Sequence, residues 1–350
     1  MGIRPEIPRK SLTELRLDDL VALFAGWGEP AYRAKQVYRW VFRQGVRDIS
    51  QMTDLSKELR ARLVNEGYSV GRVRLGRVAE SIDGTRKLSI KLDDGSAVET
   101  VLIPMEKGKF TQCLSTQVGC ALDCKFCYTG SLGLSRHLTS GEIVDQVLVA
   151  RDVVPEGSRV SHLVYMGMGE PLHNLDAVLG SLESITHEDG LGFSERRVTV
   201  STSGLVPEIK KLGERSRVNI ALSLNASNDA VRDQIMPINK RYNIASLMEA
   251  LRDYPLPPRR KMTIEYVLLG ELNDTDEDAH RLCALLKGLP VRVNIIPWNP
   301  FDGPKYKRPE DDRVRSFHQI LNRRGVTVTI RTTKGLDINA ACGQLGERPS

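Results

Sequence analysis

Three cysteines lie within one short segment at a spacing that suits iron–sulfur chemistry. Cys120, Cys124 and Cys127 follow the pattern C-x3-C-x2-C. Cysteine thiolates hold [4Fe–4S] clusters, which normally take four ligands. Three ligands leave one iron open to bind the amino and carboxylate groups of S-adenosylmethionine. A reduced cluster can then pass one electron to the sulfonium and release a 5′-deoxyadenosyl radical, which the protein must position and shield. We therefore predict that these cysteines ligate one cluster.

A structural zinc site is the alternative use of these thiols. Zinc usually takes paired C-x2-C sets or a histidine as its fourth ligand. The nearest histidine after the segment is His137, and no second cysteine pair is present. The spacing therefore favours the cluster over zinc.

A glycine-rich segment is the next candidate for ligand binding. Residues 167–171, Gly-Met-Gly-Glu-Pro, follow an apolar run that predicts a strand. Glycines at the end of a strand let the backbone approach a ligand closely, and Glu170 can accept a hydrogen bond from an ammonium group. An ordinary turn with a capping carboxylate is the alternative. Further candidate polar contacts end later predicted strands or follow them: Ser201, Ser223, Asn225 and Asn299.

Composition bounds the class of protein. Of 350 residues, 41% are hydrophobic and 27% charged, which is typical of a soluble globular protein. The net charge of +6 favours either solubility or a polyanionic partner such as RNA. No run of about 18 apolar residues is present, and residues 1–10 are charged, so we expect no membrane association and a cytoplasmic location.

The hydrophobic pattern divides the chain into three parts. Helical spacing of leucines and aromatics predicts a helical accessory domain with basic exposed faces over residues 1–70. Alternating apolar residues with Asp-Gly dipeptides at 83–84 and 94–95 predict a β-hairpin extension over residues 71–110. Residues 111–350 repeat strand, loop and helix, which predicts a parallel α/β sheet or barrel with ligands at the carboxyl ends of its strands.

The elements expected in the last part can be placed individually. A strand is expected near 113–118, ahead of the cysteines. The later strands are predicted at 160–166, 197–202, 218–224, 262–269, 291–296 and 326–331. The helices between them are predicted at 139–153, 175–186, 205–213, 243–253, 275–287 and 310–323.

Three more cysteines and one carboxylate allow more than one interpretation from their positions alone. Cys283 stands among leucines and is expected in the core. Cys342, taken alone, suits a small buried residue, although its glycine-flanked setting near the C-terminus also suits a functional thiol. Cys113 lies just upstream of the cluster cysteines, and Glu99 follows a strand-like run, where an exposed edge carboxylate is the simple interpretation.

With these residues in hand, the chain resembles the radical S-adenosylmethionine methyltransferases that act on adenine C2 of 23S rRNA and tRNA. The resemblance covers nearly all of the chain. It rests on residues 32–36, 52–55, 98–100, 113–127, 167–171, 296–300 and 337–345, of which the last, around Cys342, is the most specific. It implies an α/β fold: a partial (β/α) radical-SAM barrel with an N-terminal helical accessory domain that binds RNA and a small β extension.

The resemblance also implies roles for particular residues. Cys120, Cys124 and Cys127 would ligate the cluster, Cys342 would carry a methyl group as S-methylcysteine, and Cys113 would pair with it in a transient disulfide. Glu99 would accept a proton. Contacts to S-adenosylmethionine would come from Gly169, Glu170, Ser201, Ser223, Leu224, Asn225 and Asn299. One departure is Asn225, where the family commonly has histidine, because an amide can hydrogen-bond but cannot carry charge.

The mechanism implied uses two S-adenosylmethionine molecules per turnover. One methylates Cys342, and the second supplies the radical that takes hydrogen from this methyl group. The carbon radical adds to C2, and loss of the C2 proton with attack by Cys113 releases methylated RNA. An electron donor, flavodoxin or similar, is implied, but no stable protein partner.

Three other functions remain open at this point. A sister enzyme methylates C8 of the same rRNA adenine and confers antibiotic resistance, and it shares the cluster segment and both distant cysteines. A radical enzyme that modifies a protein would leave Cys342 unexplained. An RNA-binding module with a structural metal would hold zinc and be colourless.

Overall fold

The computed structural model describes residues 10–71 and 73–346. The charged N-terminal segment singled out above therefore lies, except for Lys10, outside the described residues. Within them, no helix is both long enough and apolar enough to cross a bilayer.

The first part of the chain is mainly helical, as its leucine spacing predicts. Its α-helices are α1 Leu17–Gly26, α2 Ala31–Tyr38 and α3 Lys57–Asn65. A π-helical turn, Arg39–Gln44, extends α2, and short 3-10 helices cover Leu12–Glu14 and Ile49–Gln51. Two short parallel strands, β1 Lys10–Ser11 and β2 Tyr68–Ser69, close this part, and the sequence pattern did not indicate them.

The two Asp-Gly dipeptides connect antiparallel strands, as predicted. The strands are β3 Arg74–Glu80, β4 Arg86–Lys91 and β5 Ala97–Met105. Gly84 and Gly95 have φ values of 81° and 85°. These turns therefore use the left-handed backbone region that glycine enters without steric cost.

One mixed sheet joins this extension to the remaining strands. The further strands are β6 Lys109–Cys113, β9 Arg159–Tyr165, β10 Val198–Thr202, β11 Asn219–Ser223, β12 Met262–Leu268, β13 Val291–Pro297 and β14 Thr327–Ile330. Over the described residues the sheet has ten strands in the order β14-β13-β12-β11-β10-β9-β6-β5-β4-β3, parallel from β14 to β6 and antiparallel beyond. The six predicted strands from residue 160 onward are confirmed to within two residues at each end.

Helices follow most strands, also as predicted. They are α5 Ser140–Arg151, α6 Leu175–Thr186, α7 Val206–Arg215, α9 Ile244–Arg252, α10 Asp276–Leu285 and α11 Asp311–Arg323. Two short helices, α4 Tyr128–Ser131 and α8 Asp229–Ile235, were not predicted. The strand expected near 113–118 is wrong in its bounds: β6 ends at Cys113, and β7 Gln117–Gly119 pairs instead with β8 Leu134–His137.

Glu14 ties the N-terminal part to the start of α5. Its carboxylate accepts hydrogen bonds from the Thr139 hydroxyl, the Ser140 hydroxyl at 3.2 Å and the Gly141 N–H at 3.0 Å. A carboxylate at a helix N-terminus also interacts favourably with the helix dipole.

We expect Glu14→Ala to lower the free energy of unfolding by about 2 kcal/mol, because charged hydrogen bonds are among the stronger ones. Urea unfolding measures this change. Glu106→Ala, in an exposed turn, is the matched control, and an equal effect of both substitutions would contradict the interpretation.

Candidate active site

An open cavity with about 1240 Å³ of empty volume lies at the carboxyl ends of the parallel strands. This is the edge where parallel α/β folds bind ligands. The cavity brings together most of the residues that the sequence singled out. They are Cys113, Cys120, Cys124, Cys127, Gly169, Glu170, Ser201, Ser223, Asn225, Asn299 and Cys342.

The three clustered cysteines sit on a loop that is held from several sides. The Cys127 N–H donates to the Cys124 carbonyl at 3.0 Å, and the Trp298 indole N–H donates to the Phe126 carbonyl at 3.0 Å. At the entry to the loop, a Cβ on Gly119 would lie 1.8 Å from the Gly133 carbonyl oxygen. Only glycine fits there, so β7 and β8 can approach closely enough to present Cys120 to the cavity.

Burial sets the electrostatics of these thiols. It raises the pKa of Cys120 to about 12 and raises the pKa values of Cys124 and Cys127. Thiolates at such a site need compensating positive charge, which a bound metal supplies. Three thiols on one loop, facing a cavity that also holds a buried carboxylate, fit a [4Fe–4S] cluster with one open iron. Among the described residues, no three His, Cys, Asp or Glu side chains are grouped as ligands of a single metal ion.

Glu170 is held rigidly beside the cysteines. Its carboxylate accepts hydrogen bonds from the N–H groups of Leu172 at 3.0 Å and Ser203 at 2.8 Å. The contact with Leu172 caps a 3-10 helix, so the alternative interpretation of Glu170 as a capping carboxylate is confirmed. Burial raises the pKa of Glu170 although the two backbone donors oppose the shift. Glu170 nevertheless lines the cavity.

Cys342 belongs to a C-terminal cysteine loop, which we define as residues 335–346. The loop is anchored to the cluster segment, because the Tyr128 N–H donates to the Gly343 carbonyl at 2.7 Å. The Asn299 amide donates to the Cys342 carbonyl at 3.2 Å. At its other end, the Gly335 N–H donates to Asp83 at 2.9 Å, on the β3–β4 turn. These bonds place Cys342 on the wall of the cavity that Cys113 also lines, and both cysteines are free thiols.

Two predicted site residues lie outside the cavity. Leu224 is fully buried in the hydrophobic core. Glu99 lines a neighbouring pocket whose wall includes residues 337–339 and 346 of the C-terminal cysteine loop. Its carboxylate pairs with the Lys87 ammonium at 2.9 Å and accepts a hydrogen bond from the Gly346 N–H at 2.8 Å. Glu99 is thus buried and paired, which contradicts the interpretation of an exposed edge carboxylate.

Asn225 lines the cavity but is largely engaged with the protein. Its backbone has a φ of 57°, a left-handed conformation that asparagine tolerates better than most residues. Its amide oxygen accepts a hydrogen bond from the Val267 N–H at 2.9 Å, and its amide nitrogen contacts the Met236 sulfur at 3.2 Å. One amide hydrogen is left for a ligand.

Two charged cavity residues were missed as site residues. Glu265 is buried on β12, and its Oε2 atom has no hydrogen-bond partner among the residues that the structure describes. Arg331 follows β14; burial opposes its charge, but Cys342, Glu265 and Cys113 outweigh burial and raise its pKa. Glu265 could have been noticed as a lone glutamate within the apolar run of β12. For Arg331 the local sequence offers no signal, because a basic residue after a strand is equally expected at the surface.

Comparisons with known proteins agree with this geometry. Residues 114–283 match the model of the radical SAM superfamily, and residues 10–68 match the ribosomal RNA large subunit methyltransferase N-terminal domain. The dual-specificity RNA methyltransferase RlmN of Geobacter sulfurreducens is 49% identical over 331 residues, covering 95% of this chain and 90% of that protein. The enzyme of the same name from Syntrophotalea carbinolica is 46% identical over 337 residues, and the match covers 96% of this chain and 90% of that protein.

A solved structure resembles the whole chain as well. The crystal structure of a radical SAM methyltransferase from Sphaerobacter thermophilus has a TM-score of 0.91 at 42% identity, and the match covers 97% of this chain and 99% of that one. The fold class and the family resemblance inferred from the motifs are therefore confirmed. On sequence identity and fold along almost its entire length, the chain belongs to the RlmN family of dual-specificity RNA methyltransferases within the radical SAM superfamily.

Proposed function

We propose that this enzyme transfers a methyl group to C2 of an adenine in 23S rRNA and tRNA through an S-methylcysteine at Cys342. The relatives are named as dual-specificity RNA methyltransferases. The observation that carries the proposal is that Cys113 and Cys342 open into the same cavity as the three clustered cysteines. The residues that would hold the cluster therefore lie in the same cavity as both distant thiols.

The chemistry of the target explains why sulfur must carry the methyl group. C2 of adenine is electron-poor and has no nucleophilic lone pair, so direct transfer from the sulfonium fails. Cys120, Cys124 and Cys127 would hold one [4Fe–4S] cluster, which supplies a 5′-deoxyadenosyl radical when S-adenosylmethionine is bound. Gly169, Glu170 and the polar strand ends Ser201, Ser223, Asn225 and Asn299 would orient that cofactor.

The remaining steps are assigned to residues of the two pockets. Cys342 would accept a methyl group from a first S-adenosylmethionine, and a second one would supply the 5′-deoxyadenosyl radical that takes a hydrogen atom from this methyl group. Glu99 would accept the C2 proton, and Cys113 would release the product by forming a disulfide with Cys342. Because Glu99 is bound by Lys87 and Gly346, the C-terminal cysteine loop must shift before that carboxylate meets the base.

The division of the chain is part of the proposal. Residues 1–70 would contribute RNA contacts, residues 71–110 the wall that carries Glu99, and residues 111–350 the radical chemistry. An electron donor such as flavodoxin would reduce the cluster, and a reductant would restore both thiols after each turnover, in a cytoplasmic setting that keeps the six cysteines reduced.

The deciding experiment is nucleoside mass spectrometry. The protein is reconstituted with iron and sulfide under anaerobic conditions and given S-adenosylmethionine, a reductant and unmodified rRNA or tRNA fragments. We expect 2-methyladenosine in the digest. A product of 8-methyladenosine would assign the chain to the C8 branch, and 5′-deoxyadenosine without methylated adenine would contradict an RNA substrate.

Salt dependence tests the contact with RNA. Arg74 and Arg77 are exposed on β3, and Arg77 lines the pocket that contains Glu99. We expect the affinity for an rRNA fragment to fall as salt rises, because bound arginines displace counterions from phosphates. Replacing both arginines with alanine should reduce the slope of log K against log salt by about two.

The matched control for this pair is Lys210→Ala with Lys211→Ala, which removes the same charge from exposed positions on α7. Affinities measured by filter binding at several salt concentrations give the slopes. A slope that the Arg74 and Arg77 substitutions leave unchanged would show that β3 does not contact RNA.

A further inference from the structure

Arg232, on the short helix α8, is a fully buried arginine beside the cluster cysteines. It is 0% exposed. Its Nη2 atom donates to the carbonyls of Ser203 at 2.7 Å and Ser223 at 3.3 Å, and its Nε atom donates to the Leu224 carbonyl at 2.9 Å. The guanidinium therefore joins the carboxyl ends of β10 and β11.

The charge of this arginine has no direct carboxylate partner in the part of the chain that the structure describes. Its remaining bonds go from Nη1 to the Asn239 amide oxygen at 2.9 Å and the Tyr242 carbonyl at 3.4 Å. Asp229 and Asp233 are bound by the Asn239 amide nitrogen, at 3.0 Å and 2.7 Å, so each is one residue removed from the guanidinium. Buried charges in proteins are normally paired or placed at a metal site.

The cysteine loop packs directly against the helix that carries Arg232. Cys124, Cys127 and Phe126 share an apolar cluster with Val231 and Ile235, which flank the arginine on α8. The Lys125 N–H also donates to the Ile235 carbonyl at 2.9 Å. The guanidinium thus lies behind the loop that would hold the cluster.

The ionisation of Arg232 is consistent with this position. Burial lowers its pKa to about 10, which leaves it protonated at neutral pH. When Cys124 is ionised, as a cluster ligand must be, it opposes that shift more than Asp229 or Asp233 does.

A cluster bound by three thiolates is anionic, and it gains a further negative charge on reduction. Net charge in and around a cluster is one of the terms that set its reduction potential. We propose that Arg232 is a positioning residue whose guanidinium is the counter-charge of the iron–sulfur cluster and favours its reduced form. This inference rests on the cluster site proposed above.

The same side chain would couple the cluster to cofactor binding. Ser203, whose carbonyl accepts from Arg232, donates its N–H to the Glu170 carboxylate. Ser223 is itself a proposed cofactor contact. Loss of the five hydrogen bonds should therefore weaken S-adenosylmethionine binding, whereas loss of the charge should shift the potential.

Two substitutions separate the charge from the hydrogen bonds. Arg232→Gln removes the charge, and Arg232→Lys keeps it but lacks the planar set of donors. Arg241→Gln removes an equal charge at an exposed position close in sequence and serves as the control. The readouts are iron content and the midpoint potential, from redox titration of the reconstituted protein followed by electron paramagnetic resonance.

We expect Arg232→Gln to lower the equilibrium constant for cluster reduction at least tenfold, which is a midpoint potential about 59 mV more negative for one electron. Arg232→Lys and Arg241→Gln should keep the potential of the parent protein, and Arg232→Lys should raise the KM for S-adenosylmethionine. If Arg232→Gln folds but retains no iron while Arg232→Lys retains it, the result also supports a role for the positive charge as the counter-charge of the cluster.

The inference is wrong if Arg232→Gln keeps the parent potential, or if Arg232→Lys loses potential or iron as fully as Arg232→Gln. Should Arg232→Gln fail to fold, Arg232→Lys is measured alone. A parent-like potential agrees with the inference, and a clearly more negative potential overturns it. A parent protein without a four-iron signal would instead refute the proposed cluster site. A normal signal without 2-methyladenosine would refute the proposed RNA reaction and leave the role of Arg232 standing.

Discussion

Replacing Cys342 with alanine should reduce formation of 2-methyladenosine at least about 10³-fold, as expected when a covalent nucleophile is removed. The reason is that the proposed mechanism carries the methyl group to an electron-poor carbon on the sulfur of Cys342. The substitution leaves the backbone unchanged, including the Cys342 carbonyl that accepts a hydrogen bond from the Asn299 amide. The C-terminal cysteine loop should therefore stay in place and the iron content should remain that of the parent protein.

Nucleoside mass spectrometry measures the yield of 2-methyladenosine, and iron analysis measures whether the iron content is retained. Cys283→Ala is the matched control, because Cys283 is a half-buried thiol packed against the hydrophobic core from α10. The control should methylate RNA at close to the parent rate. Full activity of Cys342→Ala would exclude the S-methylcysteine mechanism and favour a radical enzyme that modifies another kind of substrate.

Replacing Cys113 with alanine should stop the reaction one step later. The RNA base would already be linked through a methylene group to the sulfur of Cys342, and no second thiol would be available to form the disulfide. We expect methylated RNA to fall at least about 100-fold while a covalent complex of protein and RNA accumulates. Denaturing electrophoresis of labelled RNA detects that complex.

The structure makes this second substitution interpretable. Cys113 is 7% exposed at the end of β6, so removing its sulfur should cost about 1 kcal/mol in stability and leave the fold intact. The double substitution Cys113→Ala with Cys342→Ala should form no complex, because the attachment point is gone. A complex that still forms in the double variant would mean that RNA is linked elsewhere and would contradict the role of Cys342.

Local sequence patterns were enough to predict the cluster segment and most of the secondary structure of this protein. The C-x3-C-x2-C spacing, the Asp-Gly turns and the alternation of apolar runs with amphipathic ones depend on residues near one another in the chain. Such patterns directly reflect backbone geometry, with periods of two in strands and 3.6 in helices. The fold class and most element bounds followed from them, whereas the family followed from the resemblance of motifs along the whole chain to those of known enzymes. Helices α4 and α8 were missed because they are too short for a helical period to appear.

Only the tertiary structure decided which distant side chains meet. A charged residue in a sequence is expected at the surface, since charges are rarely buried without a partner. Arg232 and Arg331 therefore gave no local signal, although the first is fully buried and the second faces the cavity. The separation of Glu99 from Cys342 likewise depends on where the C-terminal cysteine loop crosses the sheet. That crossing is set by hydrogen bonds between residues more than two hundred positions apart, such as that between Gly346 and Glu99.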